Sequence, residues 1–517
     1  MPFGDKMRAL LSISPVLVVL GIMLFSNLST SMAALLGLLS AVAISLTFFE
    51  TSLEVVLRSC FAGFVAAFPV SLIVPASLFQ LSIMERSGAI NKAVELMKES
   101  LSDRPASRIV ALVIGVGTIL ASVGAVPVTV LTPILMAFGY DSRISIALSA
   151  LGYDSLCTYS ILGVPLVIFC DMVGLDLIDG AKYFLPYVPV VSCLITLAVL
   201  ITAHGRKFAF KYFHLSLLVG VLSYLGAVFA IYIKTPVLTG LIVGALIVLV
   251  LSFSRNRKSI EEESLGSFKD FLHAFFPWIV LIFFISFFNL FEPIRKLVYD
   301  KLSFPVYFFG LSLKPVQMRL LWQAYTWIFV SSLISIFFYK LNGKEVSMTL
   351  RKTFKRSWQP FWSASFFFMT AYVMLYSGFV KTSVGFQLLN EEMNMINALT
   401  EHSARLFKGL FPFLTPFIGV FGGFITGTQT SATAMFTVYT LKTSHTLNLS
   451  PFMMAAAVSF GSGLASAISP SKLQNAAASI DRVGEEKRVI RMMIPVILVL
   501  TALTSIVSYL FRNTILP

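Results

Sequence analysis

A chain of 517 residues with 57% hydrophobic and 12% charged residues and a mean hydropathy of +0.86 falls outside the soluble globular class, whose charged fraction is about 25%. Apolar runs of about 20 residues, the length that spans a bilayer, recur from end to end and mark an all-α polytopic membrane protein of the cell (inner) membrane. The net charge of +14 would suggest nucleic acid in a soluble chain, but the Lys and Arg residues gather in short connecting loops, so the expected surroundings are the lipid bilayer and no nucleic acid.

The N-terminus has a basic start (Lys6, Arg8), an apolar run and the small residues Ser31-Met32-Ala33-Ala34, which imitate a cleavable signal. The run from Ala9 to Phe25 is longer than a usual signal core and predicts a retained span. Hydropathy places the first spans at 9–26, 32–49 and 55–84. The segment 85–108 is amphipathic: Ile90, Ala93, Val94, Met97 and Leu101 follow helical spacing, with Lys92, Glu95, Lys98, Glu99 and Arg104 opposite, which predicts a helix on the membrane surface. The apolar stretch 109–139 is broken at Ser122 to Pro127 into arms too short to cross. It predicts a re-entrant hairpin, because backbone that leaves helix inside a bilayer must be buried in protein or line a wet cavity. A discontinuous span at 142–174, broken around Asp154 to Pro165, and an intact span at 183–202 complete a first repeat, 1–203.

Two connecting spans, 215–233 and 237–254, and their loops occupy 204–270. The series then recurs in 271–517: spans at 271–291, 319–339 and 358–380, a second surface helix at 385–408 with Phe386, Leu389, Met393 and Ile396 on one face, a hairpin at 410–441, a broken span at 450–480 and a last span at 491–511. Three basic loops, His204 to His214, Arg255 to Asp270 (Arg255, Arg257, Lys258) and Lys340 to Arg356, read as cytoplasmic. Counting crossings from them puts the first surface helix inside, the second outside and both termini outside, so the halves are inverted. The loop Asp481 to Arg491, expected inside, is basic, and Phe49 to Glu54, expected outside, has two Glu and no base; Lys6 and Arg8 run the other way.

The two interruptions recur at nearly one offset. Gly124 to Gly427 is 303 positions and Pro165 to Pro470 is 305. Broken segments at matching places of two halves point to the binding site of a secondary transporter.

In the second half, Gly419-Val420-Phe421-Gly422-Gly423-Phe424-Ile425-Thr426-Gly427-Thr428-Gln429-Thr430-Ser431, then Ala467-Ile468-Ser469-Pro470-Ser471 and Val483-Gly484, resemble the L-lactate permease family. In the first half, Pro127-Val128, Gly163-Val164-Pro165 and Gly174-Leu175-Asp176 look like the stations of the same family. The resemblance implies an elevator-type ion transporter fold and proton symport of a small 2-hydroxymonocarboxylate such as lactate or glycolate. The chain departs from the pattern at three charged positions. Gln429 stands for the family's acidic residue, Ser466 for its Lys, and Thr118-Ile119-Leu120-Ala121-Ser122 has no counterpart of its Glu.

A small carboxylate needs positive potential near the bilayer midplane, which opposed half-helix N-termini supply. The hairpin tips bring Ser122 and Gly124 on one side and Thr426, Gly427, Thr428, Gln429, Thr430 and Ser431 on the other. The broken spans add Ser155, Thr158 and Gly163, and Ser469, Pro470, Ser471 and Lys472, to the expected substrate site. For a single Ser or Thr in a membrane helix close packing is the commoner role, but packing alone does not demand Gly and Pro at equivalent sites of both halves. Lys472, in an otherwise uncharged stretch, has two readings: an ammonium offered to substrate in place of the missing Lys, or a side chain snorkelling to the inner surface.

Asp154 and Asp171 are the expected proton-coupling residues, with Asp154 first. The competing reading is a structural ion pair, for Asp154 with Lys472 as one candidate partner, and it weighs more for Asp171, which sits nearer the end of its span. Asp176 and Asp179 read as a solvated loop, and Tyr153 and Tyr159 as pocket walls or core. His204, His214, His273, His402 and His445 are scattered and suggest no metal. Cys60, Cys157, Cys170 and Cys193 lack CxxC spacing, and no HExxH or Gx[ST]xG motif suggests an enzyme. No cofactor is expected beyond the coupling ion, H⁺ or alternatively Na⁺, and a homodimer is compatible with the reading. A sodium-coupled carrier is the nearest rival; a passive channel and a substrate sensor on the same fold stand further off.

Overall fold

The computed structural model describes residues 4–26, 28–100, 104–152, 154–252, 268–311, 313, 315–383, 385–482 and 484–514. Leu101, Tyr153, Arg255, Arg257, Lys258 and Val483, named above, lie outside the described residues, as do the side chains of Val94, Met97, Lys98 and Glu99.

Helix dominates, as it must where no water is present to satisfy backbone groups. Among the described residues, ten helices are long and apolar enough to cross a membrane by length and composition. Asp5–Phe25 and Thr30–Thr47 come first, followed by a kinked path through Leu53–Ala66, Phe68–Ser71 and Ile73–Arg86. The kinks fall beside Pro69 and Pro75, whose rings remove a donor and crowd the preceding turn. Ala89–Ser100 is the first amphipathic helix. Pro105 then starts a new helix that passes through a π-helical stretch, Ala111–Val116, to Ser122, turns at Gly124 with φ +77°, and returns as Pro127–Ala137. Ser142–Leu151 and Ser160–Val173 are joined by the 3₁₀ turn Asp154–Tyr159, in which Leu156 has non-helical dihedrals. Tyr187–His204, Phe213–Tyr232 and Thr239–Ser252 lead out of this half.

In the second half Phe268–Leu290, Ala324–Phe338 and Gly343–Leu375 precede the amphipathic Met395–Phe407. Phe411–Thr426 and Gln429–Thr446 form a hairpin around Gly427, at φ +73°. Pro451–Leu464 and Pro470–Ala478 are joined by the 3₁₀ turn Ala465–Ile468, and Glu486–Leu510 is last.

Two stretches depart from expectation. The basic segment 340–356 is not a loop: Asn342 and Glu345 form a capping box and the helix runs unbroken for 33 residues, so the basic side chains ride on its first turns. Within 385–408 only Met395–Phe407 is α-helix. Gly385–Leu388 pairs as a strand with Phe379–Thr382, favoured by Val380, Thr382 and two glycines at positive φ, Gly378 and Gly385. Phe386 and Leu389 therefore leave the expected helical face. Phe386 instead lies under the Arg58 guanidinium, 5.2 Å from ring centroid. A second short ribbon, Phe304–Val306 with Val316–Met318, adds to the otherwise helical fold.

Ion pairs sort into two sets that share no segment. Arg405–Asp5 (2.5 Å), Lys381–Glu54 (3.3 Å), Arg319–Asp171 (3.1 Å) and Arg8–Glu392 tie together one end of the helices. Lys352–Glu85 (3.1 Å), Arg86–Glu345 (3.6 Å) and Lys92–Asp270 (3.4 Å) tie together the other. Each such pair stabilises little, but together they show which loops share a side.

Burial separates an inner set of helices from an outer one. In the apolar 18-residue stretch of Pro451–Ala478, 94% of the residues are buried, and in Pro105–Ser122 83%, against 28% in the corresponding stretches of Asp5–Met23 and Phe268–Phe288. The interrupted segments are thus enclosed by the continuous ones, where their freed backbone groups find protein partners. Within that centre, Gln429–Thr446 packs on Ser160–Val173, and Pro127–Ala137 packs on Pro470–Ala478.

Candidate functional site

The second hairpin and the two 3₁₀ breaks meet in the buried centre. Thr428 caps the returning arm, its hydroxyl accepting from the Ser431 backbone N–H at 3.2 Å and donating to Ser431 Oγ at 2.8 Å. Thr426 Oγ1 donates to the Gly422 and Thr428 carbonyls, each at 2.9 Å. These bonds hold the tip together, and Gln429 stands on the first turn facing the first broken segment. Gln429 is 3% exposed. Its amide nitrogen donates to Thr158 Oγ1 at 2.8 Å and to Ser459 Oγ at 3.0 Å, linking all three elements. Thr433 Oγ1 donates to the same Ser459 at 3.0 Å.

Glycine allows this approach. A Cβ on Gly463 would sit 3.3 Å from Cys157 Cβ and 3.4 Å from both the Asp154 carbonyl oxygen and Gln429 Oε1. A Cβ on Gly427, at positive φ, would lie 2.5 Å from Ser471 Oγ and 3.5 Å from Ser469 Oγ. The hairpin tip therefore rests on the second break, where Ser469 and Ser471 hydroxyls are 3.2 Å apart.

Asp154 is 1% exposed, and neither of its carboxylate oxygens has a hydrogen-bond partner among the described residues. Lys472 and Ser466 are the groups that act on it electrostatically. Lys472 does not snorkel outward: its ammonium turns back along its own segment to donate to Ser466 Oγ, whose hydroxyl reaches the Gly463 carbonyl at 2.9 Å. Ser155 Oγ and Gln429 Oε1 are also buried without hydrogen-bond partners among the described residues. The centre therefore offers a cation, a carboxyl group and spare acceptors beside a hydroxyl-rich tip.

Several expected residues lie elsewhere. Ser122 donates back to the Thr118 carbonyl at 2.7 Å and abuts Gly240 of the connecting span, whose added Cβ would lie 2.1 Å from the hydroxyl. Gly124 faces Ile328 and Ser77, and Gly163 faces Val237. Asp171 sits at the far end of its helix, both oxygens bonded to Arg319 Nη1 at 3.1 and 3.2 Å. Thr430 is buried on the returning arm, and Pro470 starts the last arm of the second break. Ser459, Ser462 and Thr433 belong to the centre yet were not singled out from sequence. Ser459, Ser462 and Ser466 stand three and then four positions apart, a polar stripe on an apolar helix that would have marked them.

The family model of L-lactate permease matches residues 8–515. The chain belongs to the L-lactate permease family. It is therefore a multi-pass membrane protein, in keeping with the ten candidate spans among the described residues. It is similar to the L-lactate permease of Streptococcus iniae, 24% identical over 87% of this chain and 93% of that one. It is also similar to the glycolate permease GlcA of Escherichia coli K12, 21% identical over 99% and 97%. Among solved structures it is similar to the YdaH transporter of Alcanivorax borkumensis (12% identity, 88% and 87% covered, TM-score 0.40). MtrF of Neisseria gonorrhoeae gives 10% identity, 100% and 96% covered and a TM-score of 0.34.

Proposed function

We propose that this permease takes up a small 2-hydroxymonocarboxylate, of the lactate or glycolate kind, by proton symport. The observation that carries the reading is the convergence of Gln429, Thr158 and Ser459 with Lys472, Ser466 and Asp154 at the meeting of one hairpin and two broken helices. A 2-hydroxy acid presents a carboxylate and a hydroxyl on adjacent carbons. Lys472 and the amide donors of the helix starting at Pro470 suit the carboxylate, and the Thr428–Ser431 hydroxyls with Gln429 suit the 2-hydroxyl. Relatives named for lactate and glycolate agree with that chemistry.

Asp154 carries the coupled proton in this scheme. Protonated, it does not compete with the substrate anion for the Lys472 charge; deprotonated, it does, so anion and proton enter and leave together. The inverted halves are the frame for alternating access, with the hairpins and broken helices moving as one body against the outer spans. The reciprocal packing of hairpin arms on broken-helix arms and the two-sided sorting of ion pairs support that division.

In proteoliposomes, an inward proton gradient should drive accumulation of labelled L-lactate, and Asp154→Asn should leave exchange while abolishing gradient-driven accumulation. Unchanged accumulation by the variant would remove Asp154 from the coupling. One observation favours a second reading, sodium coupling: the spare oxygens of Asp154, Ser155 and Gln429 are hard donors of the kind that hold Na⁺. Replacement of Na⁺ by choline at fixed pH separates the two.

A further inference from the structure

A groove of about 710 Å³ opens on the outside of the helical assembly, away from the buried centre. Leu72, Pro75, Ala76 and Phe79 of the kinked third span form one wall, Tyr325, Phe329 and Val330 a second, and Leu350 and Phe354 on the long helix a third. Its wall is almost wholly apolar, but Arg351 and Thr353 also line it.

The basic residue of the lining stands at one end, while the hydroxyls of Thr326 and Ser357, which also line the groove, are engaged by the Leu320 and Phe354 carbonyls. Lys352 pairs with Glu85 at 3.1 Å, which sets the Arg351 turn level with Glu85. Glu85 is thirteen positions from Leu72, about 20 Å of helix at 1.5 Å per residue. The groove thus runs inward from the basic face over at most about 20 Å of a hydrocarbon core of roughly 30 Å. Lys352 and Arg356 are engaged with Glu85, while Arg351 and Lys355, one turn apart and exposed, make no ion pair among the described residues.

We propose that the groove is a seat for one anionic phospholipid of the inner leaflet. Its phosphate meets Arg351 and Lys355, and one acyl chain lies along Phe79, Phe329 and Leu72. Exposed cations at the mouth and an apolar wall beyond them match the headgroup and the tail of a lipid. A soluble ligand would leave the apolar length of the wall in contact with water, and a zwitterionic lipid would bring its own cation against Arg351. A charge-assisted contact of this kind is worth a preference of about tenfold.

Native mass spectrometry of the purified protein, supplied with phosphatidylglycerol or phosphatidylcholine of identical chains, tests this. The wild type should retain a single phosphatidylglycerol with about tenfold preference. Arg351→Gln with Lys355→Gln, both on an exposed surface, should bring that ratio close to one. Ala76→Phe, which fills the groove, should remove bound lipid of both kinds. Equal retention of both lipids by the wild type, an undiminished preference in the double variant, or lipid retained by a folded Ala76→Phe protein would overturn the proposal.

Discussion

The two hairpins share a signature of hydroxyls and a left-handed glycine, yet their tips face different worlds. Around Gly427 the hydroxyls of Thr428 and Ser431 bond to each other, and Gln429 reaches two other elements. Around Gly124 the Ser122 hydroxyl returns to its own helix, and the neighbours are Ile328 and the connecting span. One signature produces the turn in both cases, because a tight reversal between helices needs positive φ whatever surrounds it. Only the surroundings decide whether the turn becomes a site. The polar centre is accordingly lopsided, built from one hairpin and two breaks rather than from two equal halves.

If that asymmetry is functional, substitutions at the two tips should differ most at Gln429. Gln429→Leu removes two donated hydrogen bonds and leaves Thr158 and Ser459 buried without that donor. At 1–2 kcal/mol for each, lactate uptake should fall by about 100-fold. Uptake within threefold of wild type, at equal surface expression, would show that the network serves packing alone.

A smaller contrast is expected between Lys472→Ala and Arg319→Ala, which remove a cation from the centre and from the rim. Lys472→Ala takes away the charge beside Ser466 and Asp154, and the apparent KM for lactate should rise by at least about tenfold. Arg319→Ala breaks the pair with Asp171, in which Arg319 is 11% and Asp171 35% exposed; the pair lies at the rim, so its loss should lower stability while KM changes less than about threefold. Concentration dependence of initial uptake reads both.

Much of this was legible in the chain. The recurring breaks located the buried centre, and Asp154, Thr158, Gln429 and Lys472 do converge there. Ser459 was missed because one hydroxyl among Met453, Ala457 and Phe460 looks like a packing residue until its partner is known. The first tip was placed in the site because Gly and Pro report a turn but not what covers it. Phe386 was read as helical because four apolar residues at helical spacing outweighed the glycines that make a ribbon. The basic run after Lys340 was read as a loop because charge excludes the bilayer interior, yet charge does not end a helix that has a capping box and no early proline.

The gentlest test concerns Ser122 and asks whether the first tip takes any part in transport. Its hydroxyl donates within its own helix, an interaction of little net worth in membrane helices, so Ser122→Ala should leave lactate uptake within twofold. Gly240→Ala should lower the melting temperature, since the new Cβ would lie 2.1 Å from that hydroxyl. Combining the two should recover part of the loss, because the same Cβ stands 3.3 Å from Ser122 Cβ, a distance a slight shift relieves. Recovery of stability with uptake unchanged throughout would assign Ser122 to packing against the connecting span. A drop in uptake from Ser122→Ala alone, with no change in melting, would instead bring the first tip back into the transport path and make the two hairpins functional equals.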